Sequence, residues 1–170
     1  MENQIIKALV MDVDGTLTDG KIYMSPQGEC MKAFHIKDGY MIARLSDYRI
    51  TPIIITGRQS DILLNRCREL HITEVYQNIE NKKEKLAKVL QALRCSYCEV
   101  AYIGDDLNDL ECMELCGMSA CPADAVEDVI RKADFVCSKK GGEGAVREFI
   151  EHIIKYNGKD QTVCGEMLQG

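Results

Sequence analysis

Asp12-Val13-Asp14-Gly15-Thr16 is the stretch that decides the predicted fold. It directly follows residues 5–11, a nearly continuous apolar run that is typical of a buried parallel strand. The two carboxylates therefore lie at a strand end, where open α/β sheets bind ligands. Carboxylates crowded at such a point repel one another unless a cation lies between them, and Mg2+ is a hard divalent ion that takes oxygen ligands. Taken alone, the motif fits an ordinary strand-ending turn equally well.

Length and composition indicate one soluble globular domain. The chain has 170 residues, of which 46% are hydrophobic and 28% charged. A net charge of -6 argues against nucleic acid or an anionic membrane as partner. No apolar stretch is long enough to span a bilayer, and the first residues lack the features of a signal peptide. The nine cysteines are spread over the chain and odd in number, which favours free thiols in a reducing compartment, so we expect a cytoplasmic location.

Strand and helix patterns alternate along the rest of the chain. Strands are predicted at residues 52–55, 73–76, 99–103, 118–120 and 134–137. Helices are predicted at residues 40–45, 60–70, 81–94, 125–132 and 143–156. Strands separated by helices indicate right-handed βαβ units. We therefore predict an α/β fold, a three-layer Rossmann-like parallel sheet with helices on both faces. The predicted domain covers residues 1–157, and residues 158–170 form a tail.

Residues 18–34 form two short mixed runs around the turn Ser25-Pro26-Gln27-Gly28, which predicts a β-hairpin. Only 43 residues separate Asp12 from Thr56 and only 22 separate Lys82 from Asp105, so neither gap holds a cap domain besides the elements of the sheet. A site without a cap is open to water. We expect the hairpin, or another subunit, to cover it.

Polar residues collect at the ends of several predicted strands and at one helix start. The aspartates fit a hard cation, while a hydroxyl, a backbone turn and a lysine fit the oxygens of a phosphate. Each residue alone has an ordinary explanation, such as a turn, a helix cap or a solvated lysine. Together they favour phosphoryl transfer. The set is Asp12, Asp14, Thr56, Gly57, Lys82, Asp105 and Asp109.

The order and spacing of these short motifs resemble the haloacid dehalogenase superfamily of phosphohydrolases. The matching motifs are Asp12-Val13-Asp14-Gly15-Thr16, Thr56-Gly57, Lys82 and Gly104-Asp105-Asp106-Leu107-Asn108-Asp109. Four longer strings, at residues 34–40, 55–58, 101–106 and 140–148, are similar to those of the 3-deoxy-D-manno-octulosonate 8-phosphate phosphatases. The resemblance covers the chain almost end to end, except for the tail beyond residue 158.

The resemblance implies a mechanism with two catalytic carboxylates. Asp12 is expected to attack the phosphorus and form an aspartyl-phosphate, and Asp14 to act as general acid and then general base. Mg2+ is expected to be held by the Asp12 carboxylate, the backbone carbonyl of Asp14 and Asp105. The transferring phosphoryl group is expected to contact Thr56, Gly57 and Lys82, with Asp109 orienting Lys82 or the waters of the metal.

The expected substrate is a sugar-acid phosphate of the lipopolysaccharide pathway. Arg58 follows the threonine turn, where a guanidinium can pair with a substrate carboxylate, and it favours the eight-carbon ester. Lys37, Asp38 and Arg147 are weaker substrate-binding candidates. A nine-carbon ulosonate 9-phosphate stays open, as does a phospho-receiver signalling domain that uses a similar set of residues. The resemblance also implies a homotetramer in which hairpins complete neighbouring sites.

Overall fold

The computed structural model describes the backbone of residues 5–166 and the side chains of residues 5–158. Its strands are β1 (Ala8–Met11), β2 (Tyr23–Ser25), β3 (Gly28–Met31), β4 (Thr51–Ile55), β5 (Glu74–Tyr76), β6 (Val100–Ile103), β7 (Met118–Cys121) and β8 (Phe135–Val136). Its helices are α1 (Ile36–Ile42), α2 (Asp61–Glu69), α3 (Lys82–Leu93), α4 (Leu110–Met113), α5 (Glu127–Lys132) and α6 (Ala145–Glu166). Within this part of the chain no helix is long and apolar enough to cross a membrane.

Six of the strands form one sheet in the order β5-β4-β1-β6-β7-β8, and every pairing in it is parallel. All four residues of the central strand β1 are buried. Leu9 and Met11 face one layer with α1, α2 and α6, whereas Ala8 and Val10 face the other layer with α3, α4 and α5. This burial on both faces explains why the strand sequences are continuously apolar.

The predicted three-layer α/β fold is confirmed, and the six sheet strands occur where the apolar runs predicted them. The predicted hairpin is also present, as the antiparallel pair β2–β3. Its ladder pairs Tyr23 with Met31 and Met24 with Glu29, which leaves Cys30 without an opposite residue and makes a bulge. No cap domain interrupts the elements between residues 5 and 166.

Three local features differ from the prediction. Helix α1 begins at Ile36 rather than near residue 40 and stops at Ile42, ahead of a 3₁₀ turn at Leu45–Tyr48. A short helix, α4, which was not predicted, follows the segment that carries Asp105, Asp106 and Asp109. Helix α6 continues past Tyr156 to Glu166, because a helical glycine such as Gly158 costs only about 1 kcal/mol. The division into a domain of residues 1–157 and a tail stays a prediction, and residues 167–170 lie outside the described chain.

Eight cysteines have described side chains, and all eight are free thiols, as predicted. Four of them, Cys67, Cys112, Cys121 and Cys137, are buried in the core and pack like small apolar residues. Cys95 and Cys98 have the Cys-x-x-Cys spacing that some metal sites use. They belong to no metal-binding cluster among the described residues, where the one such cluster consists of aspartates.

Asn157 of α6 is hydrogen-bonded to the segment that leads into β1. Its Oδ1 accepts from the backbone N–H of Ile6 at 2.9 Å, and its Nδ2 donates to the carbonyl of the same residue at 2.9 Å. Both residues are buried. The side-chain amide therefore pairs with Ile6 as a neighbouring strand would, and it fixes the entry of the central strand against the last helix.

We expect Asn157→Ala to lower the free energy of unfolding by about 1–3 kcal/mol, because two buried backbone groups lose their partner. Urea unfolding at a fixed protein concentration measures this change. The control is Asn65→Ala on the exposed face of α2, which should change stability by no more than about 0.5 kcal/mol. Equal effects of the two substitutions would contradict the role of Asn157.

Candidate active site

The loop after β1 carries Asp12 and folds tightly against the loop after β6. Asp12 continues the pairing of β1 with β6, since its backbone N–H donates to the carbonyl of Ile103 at 3.0 Å. Thr16 Oγ1 donates to Asp105 Oδ1 at 2.9 Å. Gly15 has a positive φ of 95°, and a Cβ there would overlap the carboxylate of Asp105. Only glycine therefore allows the two acidic loops to approach this closely.

Lys82 lies at the first position of α3 and is only 3% exposed. Its Nζ is 2.8 Å from Asp12 Oδ1 and 2.8 Å from Asp109 Oδ1. The hydroxyl of Tyr102 also donates to Asp109 Oδ1, at 2.7 Å. Asn81 caps the helix by accepting from the N–H of Glu84 at 2.9 Å, so the start of α3 is held in place. A buried lysine thus links two carboxylates from separate parts of the sequence.

Asp12, Asp105 and Asp109 each offer a ligand atom, and these atoms lie within 4.8 Å of one another. With Lys82 charged, three ionised carboxylates leave an excess of two negative charges, which suits a divalent cation. The oxygens of Asp109 already accept bonds from Lys82, Tyr102 and the backbone N–H of Asp105. Among the described residues, no hydrogen bond reaches Oδ2 of Asp12 or of Asp105. Asp12 and Asp105 therefore fit a metal ion best, whereas Asp109 binds Lys82.

Burial and mutual repulsion shift the protonation of these groups. Burial, followed by the charge of Asp109, raises the pKa of Asp12 to about 7, although Lys82 partly offsets both effects. Burial also raises the pKa of Asp105 to about 6, against the hydrogen bond from Thr16. For Lys82, burial lowers the pKa, but Asp12 and Asp109 together outweigh it and the pKa is raised. Lys82 is therefore charged at neutral pH, whereas Asp12 and Asp105 take up protons more readily than exposed aspartates do.

Thr56 and Gly57 follow β4, the strand that pairs with β1 on the side opposite β6. Thr56 is 2% exposed, and its backbone N–H donates to the carbonyl of Tyr76 at 3.0 Å. Since the carboxyl ends of neighbouring parallel strands meet at one edge, Thr56 and Asp105 flank Asp12 there. The structure thus brings these predicted residues to one edge of the sheet.

The carboxylate of Asp14 has two different neighbours, Lys32 from the hairpin and Arg58 from the loop after β4. Lys32 Nζ pairs with Asp14 Oδ1, and Arg58 Nε lies 3.6 Å from Asp14 Oδ2. Glu29 Oε1 joins these two cations, at 3.1 Å from Lys32 Nζ and 3.2 Å from Arg58 Nη2. Burial alone would raise the pKa of Glu29, but hydrogen bonds from Ser60, Lys32 and Arg58 lower it, so Glu29 is charged.

Sequence reasoning did not find Glu29 and Lys32. Residues three apart point to opposite faces of a regular strand, so the pattern gave no reason to place both in the site. The expectation that the hairpin covers the site was the only available signal.

Asp12, Lys82, Asp105 and Asp109 together are called the Asp12 cluster. The weaker substrate-binding candidates make their contacts with other residues. Asp38 Oδ1 accepts from the backbone N–H of Arg147 at 2.8 Å and ties α1 to α6. Burial raises the pKa of Asp38, against that hydrogen bond. The guanidinium of Arg147 pairs with Glu151 at 2.8 Å, and Lys37 is exposed. In the described part of the chain none of the three contacts the Asp12 cluster, so their binding role stays a prediction.

The chain is similar to known proteins over nearly all of its length. A family model described as haloacid dehalogenase-like hydrolase matches residues 65–150. The 3-deoxy-D-manno-octulosonate 8-phosphate phosphatase of Escherichia coli K12 is 41% identical over 163 residues, which are 96% of this chain and 87% of the relative. The chain belongs to the haloacid dehalogenase-like hydrolases.

Crystal structures of this hydrolase family have the same fold. The 3-deoxy-D-manno-octulosonate 8-phosphate phosphatase from Yersinia pestis superposes with a TM-score of 0.88 at 43% identity, covering 92% of this chain and 84% of that one. The enzyme of the same name from Moraxella catarrhalis, in complex with a magnesium ion, a phosphate ion and a KDO molecule, gives a TM-score of 0.88 at 34% identity. That match covers 98% of this chain and 95% of the other.

We expect the affinity for Mg2+ to fall by about tenfold or more between pH 8 and pH 6, because protons compete with the cation for Asp12 and Asp105. Both pKa values are raised, so the carboxylates are charged above pH 7 and become protonated as the pH falls below it. Calorimetric titration in buffers of different ionisation enthalpy should detect between about one and two protons released at pH 6 and few at pH 8.

The control for this titration is Asp128→Asn, which changes an exposed carboxylate on α5 and should leave the pH dependence intact. Equal affinities of the native protein at the two pH values would contradict protonation of Asp12 in this range.

Proposed function

We propose that the chain is a Mg2+-dependent phosphomonoesterase that hydrolyses 3-deoxy-D-manno-octulosonate 8-phosphate to the free sugar acid and phosphate. The observation that carries this proposal is the buried cluster of Asp12, Lys82, Asp109 and Asp105. It combines a nucleophile, a phosphate-binding cation and a metal-binding pair at one edge of the sheet. The identity of 41% to the Escherichia coli phosphatase supports the substrate.

Asp12 is the nucleophile in this proposal. One oxygen of its carboxylate attacks the phosphorus while the other would stay available to the cation, and the bond to the sugar oxygen breaks as the aspartyl-phosphate forms. Asp14 gives a proton to the leaving sugar oxygen. Asp14 then takes a proton from the water that attacks the phosphorus, which releases phosphate and restores Asp12.

The metal-binding groups are the Asp12 carboxylate, Asp105 and, from the family resemblance, the backbone carbonyl of Asp14. When bound, Mg2+ neutralises charge on the transferring phosphoryl group. Lys82 and Thr56 contact the remaining phosphoryl oxygens, with the turn at Gly57 beside them.

Arg58 is the proposed recognition residue for the sugar acid. Its Nε is buried and has no hydrogen-bond partner among the described residues, so a donor is free beside Asp14. A planar guanidinium matches a carboxylate in a two-pronged contact. Lys37, Asp38 and Arg147 are secondary candidates. The substrate places the enzyme in lipopolysaccharide biosynthesis, and we propose a cytoplasmic location.

The test is phosphate release with Mg2+ from 3-deoxy-D-manno-octulosonate 8-phosphate, a nine-carbon ulosonate 9-phosphate and an aryl phosphate. We expect the eight-carbon ester to lead in kcat/KM by about tenfold or more. Arg58→Ala should remove most of the lead over the aryl phosphate and leave turnover of the aryl phosphate itself within about threefold, since only the sugar acids carry a carboxylate. Arg44→Ala, which changes an exposed arginine, is the matched control.

Three outcomes separate the alternatives. A lead of the nine-carbon ester would contradict the assignment of Arg58 and keep only the phosphatase class. Loss of all turnover in Asp12→Asn is expected, because the nucleophile is removed. Turnover of none of the esters by the native protein would contradict the phosphatase and favour a receiver-like domain.

We further propose that the chain forms a homotetramer through its hairpins. Ile22, Met24 and Met31 are exposed at 47%, 64% and 51%, which is unusual for three apolar side chains on so small an element. A second subunit would cover them and the free strand edges of the hairpin.

Sedimentation equilibrium should give about four times the 19.1 kDa chain mass. Met24→Glu should yield smaller species, because a charge would be buried in the interface. Leu115→Glu, at an exposed apolar site outside the hairpin, should not. A monomeric mass of the active native protein would contradict the tetramer.

A further inference from the structure

Lys32 follows β3 directly, yet its side chain is only 2% exposed. Its Nζ pairs with Asp14 Oδ1 and lies 3.1 Å from Glu29 Oε1. Burying an ammonium group is unfavourable unless carboxylates compensate it. The hairpin therefore brings a fully paired cation to the carboxylate that acts as acid and base in the proposed function.

Glu29 connects this pair to the rigid part of the fold. Its Oε2 accepts from the hydroxyl of Ser60, the residue that caps α2 through the N–H of Leu63. Its Oε1 accepts from Arg58 Nη2 at 3.2 Å. A continuous series of contacts thus runs from the start of α2 through Glu29 and Lys32 to Asp14.

We propose that Lys32 is a positioning residue for Asp14, and that Glu29 holds Lys32 in place. A general acid must lie within hydrogen-bond reach of the leaving oxygen, so its carboxylate needs a fixed orientation. Arg58 attracts Asp14 Oδ2 from the other side, and Lys32 at Oδ1 balances that attraction. This inference rests on the proposed function of Asp14.

The test compares two esters that lack a carboxylate, so that pairing of Arg58 with a substrate carboxylate does not affect the result. An alkyl phosphate has a poor leaving group and needs the proton of Asp14, whereas 4-nitrophenyl phosphate needs it little. We compare kcat/KM, which covers the steps up to departure of the leaving group and excludes hydrolysis of the aspartyl-phosphate. Lys32→Met should lower the value for the alkyl ester by about 100-fold and that for the aryl ester by less than about threefold.

The matched control is Lys21→Met, since Lys21 lies just before β2, is 71% exposed and pairs with Asp19 at 2.8 Å. It should change neither ester by more than about twofold. Glu29→Gln provides a second variant if Lys32→Met does not fold. It should show the same selectivity, with a loss of about tenfold on the alkyl ester.

If Lys32→Met lowered kcat/KM equally for both esters, Lys32 would have only a structural role and the proposal would be overturned. Unchanged kcat/KM for both esters would also overturn it. For Glu29→Gln, equal losses or unchanged values would do the same. These results differ from failure of the proposed function, in which the native protein itself would hydrolyse neither ester.

Discussion

The attraction of Lys82 to Asp12 and Asp109 is the interaction on which the candidate active site depends. Three carboxylates close together in a buried place repel one another, and burial makes the repulsion stronger than it would be in water. The ammonium group of Lys82 lies 2.8 Å from two of them and offsets this repulsion, so the three carboxylates can stay close together. The remaining negative charge is what gives the site its affinity for a divalent cation.

The sheet order gives this cluster its geometry. Because β1 lies between β4 and β6, the loops that follow three neighbouring strands meet at one edge. Gly15 permits the contact of two of these loops, and Tyr102 on β6 holds Asp109 from within the core. The acidic cluster is therefore carried by the centre of the domain, while the hairpin contributes Glu29 and Lys32 from outside.

Most of the fold could be predicted, because strands buried on both faces leave continuous apolar runs in the sequence. The cluster could be predicted too, since polar residues at the ends of such strands lie at a common edge. The end of α6 could not, because one glycine such as Gly158 disfavours a helix only weakly and does not mark where it stops. The sequence offers Asp38 only as a weaker substrate-binding candidate, because its contact with the backbone of Arg147 depends on how α1 and α6 pack. Such contacts between distant segments leave no local pattern.

The bulge at Cys30 decides which side chains of the hairpin enter the site. In a regular strand Glu29 and Lys32 would point to opposite faces, but one extra residue in β3 restores them to the same face. The ion pair of Asp14 with Lys32 thus depends on the number of residues in β3, and not on the chemistry of the cysteine side chain. A family member with one residue fewer here would keep every catalytic motif and yet turn its lysine to the solvent. Chain length in this short strand is therefore under the same constraint as the identity of the charged residues.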